Sequence, residues 1–117
     1  MIKTLDSKLK AQLITKACDE KKGLDIVCLD VRKISSVTDY FVIATGTSDR
    51  HVKALGEAVL DRLKDVGERT NHHEGLEEGV WVLVDASDVM VHIFQETSRE
   101  YYAIEELWRR ALKVRFR

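Results

Sequence analysis

Apolar positions change their period several times along the chain, and each change marks an element. Leu5, Leu9, Leu13, Ile14, Ala17 and Cys18 recur at helical spacing with charges between them. Lys21-Lys22-Gly23 then supplies a basic last turn and a glycine stop, so the spacing predicts a first helix. Residues 24–31 are rich in branched side chains and residues 40–44 are apolar throughout, which predicts two strands, the second central and covered on both faces. Ser48 can cap a second helix whose Val52, Leu55, Val59, Leu63 and Val66 form one face before Gly67 ends it.

Residues 68–72 form a short strand candidate. The acidic run Glu74-Gly75-Leu76-Glu77-Glu78-Gly79 after it is expected to project from the sheet edge as a mobile loop. Residues 80–85 and 89–95 flank Ala86-Ser87-Asp88, a spacing that predicts an antiparallel hairpin. Thr97-Ser98-Arg99-Glu100 fits a capping box opening a last helix, with Tyr101, Ile104, Leu107, Trp108 and Ala111 toward the core and Tyr102 exposed. The basic tail, residues 109–117, is expected to fray, with an RNA contact as the second reading. The order α-β-β-α-β-β-β-α, with no proline, implies one α/β domain over residues 1–117: a mixed sheet of about five strands flanked by helices.

Charge narrows the partners. Nineteen basic residues against 20 acidic leave a formal charge of −1, so no whole-molecule field draws the protein onto nucleic acid. A link to RNA has to be local or run through a protein. Cys18 and Cys28 lie in apolar surroundings without CxxC spacing and read as buried thiols. With neither a membrane-length apolar run nor an Arg-rich leader, the expected location is the cytoplasm.

Nucleotidyl transfer needs carboxylates converging on divalent metal, commonly an Asp-x-Asp pair beyond a Gly-Ser turn. The chain has Gly46-Thr47-Ser48 but no Asp-x-Asp. Asp25 and Asp30 are an odd number of positions apart, so on a regular strand they face opposite ways. His72, His73 and His92 lack a cysteine pair to complete a zinc set, and Ser48, Asp49 and His51 read as a helix start rather than a catalytic group. No cofactor or metal is expected. The alternative reading is a nucleotide-binding or nucleotidyltransferase-like enzyme that uses Gly46-Thr47-Ser48-Asp49-Arg50 as a phosphate cradle.

Asp25-Ile-Val-Cys-Leu-Asp30-Val-Arg32, Thr38-Asp39-Tyr40-Phe41-Val42-Ile43-Ala-Thr-Gly46-Thr47-Ser48 and Arg50-His51-Val52 resemble the opening signature of the ribosomal silencing factor (Iojap) family. Glu74-Gly75, Trp81-Val-Leu-Val-Asp85, Asp88-Val-Met-Val-His92-Ile-Phe94, and Arg99-Glu-Tyr101-Tyr102 leading to Leu107-Trp108 follow in the family's order, so the resemblance covers nearly the whole chain. One departure is the turn, where Ala86-Ser87-Asp88 replaces an aromatic or Leu followed by Gly-Asp. A turn requiring positive φ costs more without that glycine.

The resemblance implies a nucleotidyltransferase-like fold without catalytic carboxylates or activity. It also implies binding to large-subunit ribosomal protein fourteen, beside the face that the small subunit must reach, when nutrients are limiting, with a role in large-subunit maturation as a further expectation. The residues themselves suit an interface. The hairpin brings apolar Trp81, Leu83, Met90 and Phe94 near Glu74, Asp85, Asp88 and His92. An acidic rim around an aromatic or methionine anchor fits a basic ribosomal protein. Trp81 and Met90 suit core packing equally well. The candidate contact residues are therefore Glu74, Trp81, Asp85, Asp88, Met90, His92 and Tyr102, and an exposed strand edge offers a homodimer off the ribosome.

Overall fold

Every residue of β2 (Tyr40–Gly46) is buried, and the rest of the chain is arranged to cover that strand. The computed structural model describes residues 6–70, 72–107 and 109–116, apart from the side chains of Tyr101, Tyr102 and Leu107. β2 runs parallel to β5 (Val89–Gln95), from Tyr40 opposite Val89 to Gly46 opposite Gln95. On its other side it pairs antiparallel with β1 (Leu24–Asp30). β4 (Trp81–Asp85) joins β5 in the antiparallel hairpin expected from the sequence, and β3 (His72–Glu74) adds to β4. The sheet order is β3-β4-β5-β2-β1-β6, where β6 is Leu112–Val114.

Two helices close one face. α1 (Ser7–Glu20) and α2 (Asp49–Asp65) pack Ala11, Ile14, Cys18, Val52, Leu55, Val59 and Leu63 onto Val42, Ala44, Val82, Val84, Val91 and Ile93. Burying each Leu or Val of α2 contributes about 1.5–3 kcal/mol, which outweighs the weak helical preference of its valines. Ser48 caps α2 as expected, its Oγ accepting from the His51 amide. Cys18 and Cys28 are buried free thiols, and burial pushes both up to about 12, which keeps them protonated and unreactive. Leu9 and Val66, which their spacing assigns to core faces, are exposed.

The helix ends differ in chemistry. Gly67 takes the left-handed φ of 77° after α2, whereas Lys22, not Gly23, takes it after α1 at 62°. Gly23 instead brings its backbone against Cys18, where an added Cβ would lie 3.0 Å from the carbonyl oxygen.

A buried cation joins the two ends of the chain's core. Lys10 on α1 is 6% exposed, and its Nζ donates to the Asp88 carboxylate at 2.7 Å and to the Ala86 carbonyl at 3.0 Å. The Glu68 carboxylate lies 3.6 Å away. The Asp88 carbonyl meanwhile accepts from the amides of Asp39 and Tyr40, at 2.8 and 3.2 Å, which fixes the start of β2. Ser87 supplies the positive φ of this turn, 71°, and the Asp85 carboxylate accepts its amide at 2.9 Å. That bond lets a non-glycine residue hold the turn.

The C-terminal third departs most from expectation. α3 (Glu96–Tyr102) begins at Glu96, so Thr97 lies inside the helix and its capping box does not form; the cap residue Gln95 makes no side-chain bond to the helix, its Nε2 donating instead to the Gly79 carbonyl at 3.2 Å. Ala103 adopts a left-handed φ of 46°, and the chain resumes as the short α4 (Ile104–Leu107). The cause is Arg99. Its Nη1 donates to Thr45 Oγ1 at 2.7 Å and to the Asp25 carbonyl at 2.8 Å, and its Nε pairs with Glu105 at 2.8 Å. A straight helix would leave the sheet; the bend returns Ile104 and Ala111 to its second face. Residues 112–114, expected to fray, then pair with β1 as a sixth strand, one more than the sequence suggested. The core assignments of Tyr101, Leu107 and Trp108 and the exposure of Tyr102 fall on side chains outside the described residues.

The acidic loop does not project from the sheet. Gly79 is buried against the start of α2, where a Cβ would lie 2.5 Å from the Asp49 carbonyl, and Leu76 packs on the core. The strand expected at residues 68–72 forms later, at His72–Glu74.

Replacing Lys10 by Met should cost about 3 kcal/mol, because it removes the buried cation that pairs with the Asp88 and Glu68 carboxylates and donates to the Ala86 carbonyl. Urea unfolding reads this directly, and an unchanged midpoint would remove the node's structural role.

Candidate functional site

The face of the sheet opposite α1 and α2 is built by strand register. Glu74, Leu83, His92 and Ile43 lie opposite one another across β3, β4, β5 and β2. Asp85, Met90 and Phe41 form the next row, with His72 opposite Asp85. Trp81, Phe94 and Thr45 form a third. Alternation along each strand therefore gives Trp81, Leu83 and Asp85 one common side, and all three are half-buried while Val82 and Val84 between them are buried.

Beneath this strip lies an aromatic floor. The Phe41 ring meets His92 edge-on at 5.4 Å, and His92 stacks on Phe94 at 6.1 Å with 7° between planes. Trp81 tilts over Phe94 at 4.9 Å, and its indole N–H donates to His92 Nδ1 at 3.2 Å. Burial pulls His92 down to about 4, so the ring is neutral near pH 7 and can accept that bond. His92 thus acts as an internal support that fixes the indole, leaving Trp81, Leu83 and Met90 half-exposed as an apolar strip.

The candidate residues separate into groups. Glu74, Trp81, Asp85, Met90 and His92 share the face, with His92 as its floor. The carboxylate of exposed Glu74 lies 3.2 Å from His72 Nε2. Asp88 stands apart, its carboxylate bonded to Lys10 in the turn. The Tyr102 side chain lies outside the described residues. Phe41 was not singled out because the run around it is apolar at every position, which hides which face each side chain takes. Its register opposite Met90 reveals it.

The turn at residues 46–50 is internally committed. The Thr47 amide donates to His51 Nδ1 at 2.9 Å, the His51 amide to Ser48 Oγ at 3.1 Å, and the Arg50 amide to the Asp49 carboxylate at 2.9 Å. His51 Nε2 reaches the Lys21 carbonyl at 2.8 Å. An anion would have to displace these bonds beside a carboxylate, which makes the turn a poor phosphate cradle. The strand-parity argument for Asp25 and Asp30 loses its basis, since β1 carries an irregularity between Leu24 and Val27. Asp30 is nonetheless occupied, its carboxylate accepting from Arg32 Nε at 3.0 Å and Nη2 at 2.7 Å, and those bonds lower its pKa. Among the described residues no three His, Cys, Asp or Glu side chains are placed to hold a metal ion.

Residues 4–116 match the family model described as Ribosomal silencing factor during starvation. The chain belongs to the ribosomal silencing factor family. Ribosomal silencing factor RsfS of Bacillus subtilis is 40% identical over 104 residues, covering 89% of this chain and 88% of that protein. Its counterpart in Chromobacterium violaceum is 45% identical over 98 residues, 84% of this chain and 80% of that one. A crystal structure of a Chromobacterium violaceum protein superposes with a TM-score of 0.88 at 41% identity, covering 96% and 92% of the two chains. The silencing-factor relationship supports the mixed α/β fold and a place among ribosome-associated regulators of translation, and no helix among the described residues is long and apolar enough to cross a membrane.

His92 makes the silencing-factor domain sensitive to acid. Its folded value lies below the unfolded one of about 6.5, so between those values the unfolded chain takes a proton that the folded one refuses. Its contribution is complete above about pH 6.5 and lost as pH falls toward 4, about 3 kcal/mol in all. His92→Gln should flatten the urea midpoint across that window; an equally steep decline in the variant would assign the effect to other groups.

Proposed function

We propose that this silencing-factor chain binds the large ribosomal subunit through its exposed sheet face, on large-subunit ribosomal protein fourteen, and obstructs joining of the small subunit. The observation that carries the reading is the half-exposed strip of Trp81, Leu83 and Met90, lying on an aromatic floor between the carboxylates of Glu74 and Asp85. A rigid indole contributes affinity at low entropic cost, and the acidic rim steers the encounter with a basic protein. A standard interface takes about 800 Å² from each partner, a small part of this domain's 7609 Å². The rest of the domain then occupies space beside the joining face.

No bond is made or broken in this mechanism, and the protein acts without catalysis, in the cytoplasm, when nutrients are limiting. Contact with the large subunit alone is equally compatible with assisting its maturation. Off the ribosome, the outer edge of β3 supports self-association, although its three residues limit what such pairing contributes.

Pelleting with purified large subunits tests the site. Asp85→Asn combined with Glu74→Gln keeps an acceptor for the Ser87 amide, so it should leave the fold intact while weakening binding several-fold and reducing its salt dependence. Trp81→Ala should cost tenfold or more, about 1.4 kcal/mol or above. Wild-type affinity in both variants, folded by circular dichroism, would remove this face from the interface.

A further inference from the structure

The two edges of the sheet carry opposite charge. At the β3 edge, Glu74 and Asp85 lie beside the strip described above, and exposed Glu77 and Glu78 follow in the loop after Glu74. At the β6 edge, five strand spacings or about 24 Å away, lie Arg32, Lys33, Arg109, Arg110, Lys113 and Arg115, all exposed. A net charge of −1 conceals this separation completely.

The carboxylates near the basic edge are largely engaged. Asp30 is held by Arg32, Glu105 by Arg99, and Glu106 lies 3.9 Å from Arg109. Lys33, Arg110 and Arg115 make no ion pair among the described residues. Between β1 and the returning C-terminal segment runs a cleft of about 360 Å³, lined by Asp30, Arg32, Lys33, Ile34, Arg110, Ala111 and Leu112. Pairing of residues 112–114 with β1 holds the returning segment in place, so that Lys33 and Arg110 both line the cleft. A disordered basic tail would present the same charges without a fixed groove.

We propose that this edge is a second docking surface that receives the phosphate backbone of RNA. The proposal rests on the ribosome-binding reading for its choice of RNA over an acidic protein. The chemistry required of the partner is a line of negative charges matched to cations along a cleft, with no base-specific hydrogen bonding. With its acidic edge on a basic protein and its basic edge on RNA, the domain bridges two components, and each edge fixes the orientation the other leaves open.

The test uses the triple variant Lys33→Gln, Arg110→Gln, Arg115→Gln, whose side chains support no ion pair of the described fold. A fluorescent 16-base-pair RNA hairpin is titrated by anisotropy, and large subunits are pelleted across a series of salt concentrations. Wild-type protein should bind the hairpin at low salt with affinity falling steeply as salt rises, and the variant should bind at least tenfold more weakly. On large subunits, losing three phosphate contacts should reduce the slope of log K against log salt by about two to three. Equal hairpin affinity in the two proteins, or an unchanged slope on subunits, overturns the proposal. Equal binding of polyglutamate and RNA by the wild type also overturns it, in favour of an acidic protein partner. Failure of wild-type protein to pellet with large subunits would sink the ribosome-binding reading instead, and the hairpin titration would still decide whether this edge takes RNA.

Discussion

Burial of β2 on both faces is the constraint from which the architecture follows. A strand whose seven residues are all withdrawn from water needs hydrogen-bonded neighbours on both edges and apolar cover above and below. β1 and β5 provide the edges, α1 and α2 cover one face, and α3, α4 and the aromatic floor share the other. The parallel pairing with β5 forces the chain to cross over through α2, β3 and β4. That crossover is what brings β4 to the outside of β5, with Trp81, Leu83 and Asp85 at the margin of the helical cover. The candidate site is thus a consequence of how the central strand is enclosed.

Two charged side chains hold this arrangement where apolar packing leaves a choice. Lys10 ties α1 to the hairpin turn, and through Asp88 to the first residues of β2. Arg99 ties the C-terminal segment to Thr45 and to the irregular start of β1. Each satisfies backbone or hydroxyl acceptors as well as a carboxylate, the condition under which a poorly solvated cation is tolerable. Asp88 belongs to the first of these networks, so its carboxylate is engaged at the turn while Asp85, three residues earlier, remains on the open face.

Legibility in the sequence tracked locality. The β4–β5 hairpin, the Ser48 cap and the buried Val52, Leu55, Val59 and Leu63 of α2 follow from period and capping within a few positions, and the structure has all of them. Local pattern alone predicts one capped helix and a fraying tail for the C-terminal segment, because Thr97 and Glu100 satisfy it. Contacts 54 and 74 positions distant, from Arg99 to Thr45 and Asp25, override it. The acidic loop was likewise misjudged, since nothing nearby signals that Gly79 must fit against Asp49. At the site, alternation along β4 was readable, whereas the support role of His92 needed the third dimension. It depends on Phe41 and Trp81 arriving from other strands. The family resemblance did not need those contacts, because it rests on the order of motifs along nearly the whole chain.

In the proposed mechanism a folded domain, held at one face, excludes the small subunit by occupying space. Light scattering during mixing of purified large and small subunits measures joining directly. Large subunits preincubated with the protein should join more slowly and to a lower extent, while protein carrying Asp85→Asn, Glu74→Gln and Trp81→Ala together should leave joining near its unobstructed level at the same concentration. Normal joining by large subunits shown to be saturated with wild-type protein would contradict the account, since a bound domain that leaves joining unchanged does not occupy the space the mechanism requires.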